Sequence, residues 1–266
     1  MNILYMKILT IGGRTVLVPL FFMVCFAAYA QKLPNKQEAS VRAPADIKID
    51  GKATEWGNKF QAYNKATDIY YTISNDDENL YLVVQAKYHD IADKILRGGL
   101  TFTINHALMK KDDEQISVTY PVFMESGQSD VTNMLSRKEI EKRDAKDGEM
   151  VIDDMNKMLD SKSKTIRISG IKTISEQDIS VYNQERIKAV SQFDKQLAYT
   201  YELVIPLKYL MLPNNGADGF SYNIKINEPN ETPVPHGPGS PPPPPPMAMT
   251  ATAPTDFWGE YTLAKK

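Results

Sequence analysis

The chain has 266 residues, with 31 Lys+Arg against 33 Asp+Glu, a formal net charge of −2 and a sequence pI near 6.0. That balance excludes a protein that neutralises many nucleic-acid phosphates, and equally a polybasic membrane-surface protein. With 42% hydrophobic and 24% charged residues the composition is that of a globular protein, which excludes wholesale disorder.

The first 30 residues read as an export signal. Lys7 and Arg14 form a positive n-region, Thr15 to Ala28 (TVLVPLFFMVCFAA) is an apolar run, and Ala28-Tyr29-Ala30 offers small residues to a signal peptidase, with cleavage expected before Gln31. The run is short of the about 20 apolar residues of a membrane helix and contains Pro19, so no stable membrane span is expected after cleavage. Cys25 lacks the small preceding residue of a lipidated cysteine. It is also the chain's one cysteine, so the exported remainder has no thiol, no disulfide and no cysteine-ligated metal. The expected location is the periplasm or the exterior of a Gram-negative bacterium.

Residues 31–45 are expected to form a polar leader, and residues 46–266 one domain. Ile47-Lys48-Ile49-Asp50-Gly51 reads as a short strand closed by an Asp-Gly turn. Asp68 to Ser74, the polar turn Asn75-Asp-Asp-Glu-Asn79 and Leu80 to Tyr88 read as a hairpin, since Leu80, Leu82, Val84 and Ala86 alternate with Tyr81, Val83, Gln85 and Lys87. Three histidines stand apart in sequence, and His89-Asp90 with Asp93 reads as a solvent-exposed polar loop or a weak ligand cluster. Gly98-Gly99 reads as a turn into the strand Leu100 to Asn105.

Arg137 to Lys164 carries 16 charged residues, eight of each sign, and Val151, Met155, Met158 and Leu159 form one apolar helical stripe. A helical excursion over 130–164 is therefore expected, with Asp130 capping an earlier helix and the stripe docked either on its own domain or on a partner. Thr165 to Ser169 and Ile179 to Phe193 look extended. Tyr199 to Ile205, Phe220 to Ile226 and Phe257 to Ala264 each alternate as half-buried strands. Of the 17 prolines, eleven fall between Pro229 and Pro254, including the run Pro241 to Pro246, and predict a polyproline II loop within the fold. Adjacent short strands without regular βαβ alternation predict a mainly β protein, an antiparallel β-sandwich.

Ile49-Asp50-Gly51 followed by Glu55-Trp56, the hairpin Tyr71 to Val84, the strand Leu100 to Asn105 and Tyr201-Glu-Leu-Val-Ile-Pro206 together resemble the carbohydrate-binding module family 9-like domains of the DOMON-like superfamily. The resemblance spans Ile47 to Lys266. It extends to a subgroup of secreted bacterial proteins, mainly of Bacteroidetes, with a Gly/Pro/Met-rich loop before a closing Phe-Trp-Gly strand, here Phe257-Trp258-Gly259. It implies a β-sandwich that binds sugars or serves as a non-catalytic module. Family members hold a sugar end between aromatic rings, whereas Trp56 reads as packing the first turn onto the sheet.

A sugar site needs an aromatic face for a pyranose and amide or charged groups for its hydroxyls. The strand faces away from the expected core offer Tyr70, Tyr81, Gln85, Lys87, Asn105, Asn223 and Lys225 as ligand-binding candidates, and Trp258 on the closing strand, which could face either way, is another; an ordinary solvated sheet face is the bland alternative. Asp76, Asp77 and Glu78 offer oxygens to calcium, which some family members carry, although a hairpin turn also explains the run. No Gly-x-Ser-x-Gly elbow, His-Glu-x-x-His or phosphate loop marks a catalytic site, and no enzyme is expected. The leading expectation is an exported carbohydrate-binding or cell-envelope interaction module. The alternative is an envelope scaffold that meets a protein partner through the proline-rich loop and the helical excursion.

Overall fold

The computed structural model describes residues 32–105, 115–123, 130–131, 145–210, 212, 219–228 and 253–266. The stretch expected to be an export signal, most of the one expected to be a proline-rich loop and residues 132–144 of the expected helical excursion lie outside the described residues. Among the described residues, eleven strands form two antiparallel sheets. One has five strands in the order β1 (Ala62–Asn64), β2 (Ile69–Asn75), β3 (Asn79–Ala86), β9 (Tyr199–Pro206) and β8 (Lys188–Phe193). The other has six, in the order β11 (Thr255–Thr262), β10 (Gly219–Ile226), β4 (Leu100–Asn105), β5 (Ile116–Val122), β6 (Thr165–Ser169) and β7 (Asp178–Ser180). The predicted β-sandwich is the observed architecture.

Alternation explains the layers. Tyr71, Ile73, Leu82, Val84, Tyr201 and Leu203 turn inward from the first sheet, and Phe102, Ile104, Val118, Tyr120, Tyr222 and Ile224 from the second, into one core. Tyr71 meets Phe257 at 5.2 Å between ring centroids and shares a 2.8 Å hydroxyl contact with Tyr222, so the two layers are pinned through aromatic pairs with a satisfied polar tip. No helix among the described residues is long and apolar enough to cross a membrane.

Several elements differ from expectation. Ile47 to Gly51 is not a strand: the amides of Asp50 and Gly51 are taken by the Glu202 side chain instead of a neighbouring strand. His89–Gly98 is a helix, α1, and not a polar loop, because Ala92, Ile95 and Leu96 bury one stripe; it closes where the Gly99 amide bonds Ile95 O at 2.7 Å. Residues 33–44, expected as a leader, are bound to the first sheet. The Gln37 side chain accepts from Ile73 N at 2.7 Å and donates to Ile73 O at 2.8 Å, and Pro34 O accepts from Tyr63 N at 2.9 Å.

The helical excursion is present as α2 (Ala145–Lys162). Met155 and Leu159 are buried in the protein's own core and Val151 and Met158 pack at its margin, which favours docking on its own domain over a partner. Asn156 fastens the helix to β8 by accepting from Phe193 N at 2.8 Å and donating to Phe193 O at 2.9 Å, as a strand neighbour would.

Candidate functional site

The outer face of the five-stranded sheet is organised by register into rungs. Tyr63 pairs with Tyr70, Tyr70 with Gln85, Gln85 with Thr200 and Thr200 with Gln192, so one rung crosses all five strands. Two residues along, Thr72, Val83, Glu202 and Val190 form the next rung, and Ser74, Tyr81, Val204 and Lys188 the one after. Side chains two apart on a strand share a face, which is why these residues project together from the sheet.

The chain from Ile47 to Thr54 crosses this face as a strap. Glu202, fully buried, lies beneath it and accepts the amides of Asp50 and Gly51, both at 2.8 Å and both on Oε2. Burial pushes the Glu202 carboxyl up to about 8, with Asp50 and Glu55 adding to the rise and the two amides opposing it. Oε1 has no hydrogen-bond partner among the described residues, so a neutral acid carrying its proton there and using Oε2 as a carbonyl fits the geometry. Beside the strap, Ala53, Phe60 and Val83 form a second small core, with Leu33, Trp56 and Tyr70 at its margin. Trp56 Nε1 donates to Ser74 Oγ at 3.4 Å, placing the indole against the sheet.

The strap leaves a groove on each side. The larger, of about 960 Å³, lies between Gly51 to Thr54, the sheet and α2. Its floor is the Gln85, Thr200 and Gln192 rung, and Ile152, Asp153 and Asn156 form the helical wall. Gln85 Nε2 donates to Thr200 Oγ1 at 3.2 Å; the half-buried Gln192 amide makes no side-chain hydrogen bond among the described residues. Lys87 lines the same groove and sets its ammonium 4.1 Å from the Tyr70 ring centroid. The smaller groove, of about 320 Å³, lies over the Tyr81, Val204 and Lys188 rung.

Of the eight ligand-binding candidates, Tyr70, Tyr81, Gln85 and Lys87 therefore belong to this face. Asn105, Asn223, Lys225 and Trp258 lie on the outer side of the other sheet, across the core, where Asn223 faces Trp258 in register and Lys225 faces Asp256. The two sets do not converge. Asn223 Nδ2 is bound to Asp256 Oδ2 at 2.6 Å and to Phe257 O at 3.0 Å, which commits its amide to the sheet edge. Sequence reasoning missed Thr200, Gln192 and Glu202. Gln192 and Thr200 were legible as polar partners in alternating strands, but their neighbour relation to Gln85 needs strand order.

Asp76, Asp77 and Glu78 do not assemble as a cation site. Asp76 accepts from the amides of Glu78 and Asn79 at 2.7 and 2.6 Å and from the Tyr81 hydroxyl at 2.6 Å; burial opposes ionisation, but these donors hold its carboxyl below the ordinary value. Asp77 pairs with Lys266 and Arg42, and Glu78 faces Arg186 at 3.7 Å. Among the described residues no three His, Cys, Asp or Glu side chains gather as metal ligands. Asp93 is held by Arg97 at 2.8 Å, and His89 Nδ1 lies 3.7 Å from Asp90 Oδ1.

Compared with protein-family models, curated proteins and solved structures, the chain matches none.

Proposed function

We propose that the chain is an exported, non-catalytic binding module of the carbohydrate-binding module family 9-like type, and that its ligand is a glycan of the cell envelope or surroundings held in the larger groove. The observation that carries this is the rung of Gln85, Thr200 and Gln192 beneath a groove of about 960 Å³. Sugars present hydroxyls at fixed spacings, and a rigid sheet bearing amides and a hydroxyl meets them without ordering flexible loops. Lys87 and the free amide of Gln192 supply donors, while the apolar cluster around Trp56 and Phe60 backs the strap that forms one wall.

Titration calorimetry and intrinsic tryptophan fluorescence against soluble polysaccharides and reducing-end sugars test this. Saturable binding accompanied by a change in Trp56 emission is expected, and no response to any glycan overturns it.

A further inference from the structure

Beyond the larger groove, the smaller one carries a distinct electrostatic character. Lys48 on the strap, Lys188 on β8 and Arg186 line it together with Tyr81, Asn79 and Val204, and no carboxylate is among its lining residues. Neither Lys48 nor Lys188 has an ion-pair or side-chain hydrogen-bond partner among the described residues, and Arg186 meets only the exposed Glu78 at 3.7 Å. The nearby Asp76 carboxylate is already taken up by the Tyr81 hydroxyl and two amides. In a chain of net charge −2, three cations around an aromatic and aliphatic floor form a local field of the opposite sign. Exposed lysines lose little by waiting unpaired in water, but an incoming anion in a partly desolvated groove meets all three at once.

We propose that this groove is the subsite for an anionic group of an acidic glycan, a carboxylated or sulfated sugar whose ring rests on Tyr81 and Val204 while its charge meets Lys48, Arg186 and Lys188. The inference rests on the glycan-binding role of the larger groove and extends it to a substrate class. Tyr81 and Gln85 project from the same strand four residues apart, about 13 Å at the usual strand rise, so one oligosaccharide passing the strap reaches both grooves.

The test measures, by calorimetry on the full exported chain, three probes: an oligogalacturonate, the same oligomer with its carboxylates reduced to alcohols, and polyaspartate of matched charge. The parent should prefer the oligogalacturonate over the reduced oligomer, and K48Q/K188Q should remove that preference, weakening oligogalacturonate by roughly tenfold, the effect of two partly screened ion pairs. Added salt should weaken the anionic probe selectively. Both lysines are exposed, and an unchanged thermal melt confirms that the double variant is folded. Equal affinity for the reduced oligomer, or an unaltered double variant, overturns the subsite while leaving the larger groove as a neutral-sugar site. Binding of polyaspartate alone, lost in K48Q/K188Q, overturns the sugar assignment in favour of an acidic peptide. No binding of any probe overturns the subsite, and with no response to neutral glycans the broader function falls as well.

Discussion

Glu202 Oε2 accepts the Gly51 amide at 2.8 Å, and this single contact joins two stretches of sequence 151 residues apart: the Ile-Asp-Gly turn and the Tyr-Glu-Leu strand. Both lie on the outer face of the five-stranded sheet, and their union fixes where the strap crosses it. The two grooves therefore owe their separation to one buried carboxyl.

That carboxyl makes stability pH-dependent in a defined direction. Its value rises from 4.5 to about 8 on folding, so the folded chain keeps a proton that the unfolded chain releases. The stabilisation is fully present below the unfolded value and is lost as pH rises through about 8. Asp76, Asp77 and Asp178 are shifted the other way, so they act in more acidic solution. Unfolding free energy should decline between about pH 5 and pH 8.5, and Glu202→Gln, which keeps a carbonyl acceptor but cannot ionise, should flatten the decline. Urea melts across this range check it; an unchanged slope in the variant would show that Glu202 is not the titrating group.

Gly51 is required by conformation and by space. Its φ is +82°, and an added Cβ would lie 2.9 Å from Gln192 Cγ and 3.0 Å from Ser191 C. Gly51→Ala should cost about 2 kcal/mol or more through left-handed strain and the clash with β8. Thermal unfolding measures the loss, and hydrogen exchange should show the Asp50 and residue-51 amides deprotected ahead of the sheet.

Much of this fold was legible from alternation alone, because β2, β3, β4, β9 and β10 place apolar residues at every second position and β11 does so at Phe257 and Tyr261 on either side of Gly259. The strap was not. Ile47 and Ile49 alternate like a strand, and only the buried acid on β9 shows that the backbone just after them, at Asp50 and Gly51, bonds a side chain. Strand β5 carried the same signal in Ile116, Val118 and Tyr120, partly obscured by Pro121. Helix α1 was hidden by its polar opening, although Ile91, Ala92, Ile95 and Leu96 have helical spacing. For the site, Tyr70, Tyr81, Gln85 and Lys87 could be named from the hairpin because adjacent strands declare their register. Their union with Thr200 and Gln192, and their separation from Asn223 and Trp258, depend on long-range sheet order, which no local pattern encodes.

Gln192 provides the sharpest probe of the larger groove. Its amide lines the groove without a side-chain hydrogen-bond partner among the described residues, so Gln192→Ala removes the proposed glycan contact without orphaning a protein group. Glycan affinity should fall about fivefold, the worth of one net hydrogen bond, while stability stays within about 0.5 kcal/mol. Calorimetry beside thermal melts separates the two. Full affinity in the variant would move the binding site away from this rung.

Asn156 supports the groove from the helical side. Removing its side chain in Asn156→Ala leaves Phe193 N and O without their bonds at the edge of β8, which should destabilise the protein by about 1–3 kcal/mol. The expected signature is local: faster exchange at the Phe193 amide and along α2, with the second sheet unaffected. Uniform loss of protection throughout the chain would contradict a docking role.

Gly259 gives a physical reason for the closing Phe-Trp-Gly strand. It lies opposite Tyr222 in register, and an added Cβ would collide with both Cζ and Oη of that ring. The ring cannot retreat freely, because its hydroxyl contacts Tyr71 Oη and the ring packs against Phe102 and, at near right angles, Phe257. Gly259→Ala should therefore cost about 1–3 kcal/mol by overpacking, with β11 loosened from β10. Tyr222→Leu alone should also destabilise, by opening space and leaving the Tyr71 hydroxyl with one partner fewer. Combined, the two changes should cost less than their sum, since the smaller side chain admits the new methyl group. A double-mutant cycle by denaturant unfolding measures that coupling, and strict additivity would show that Gly259 is held by something other than the Tyr222 ring.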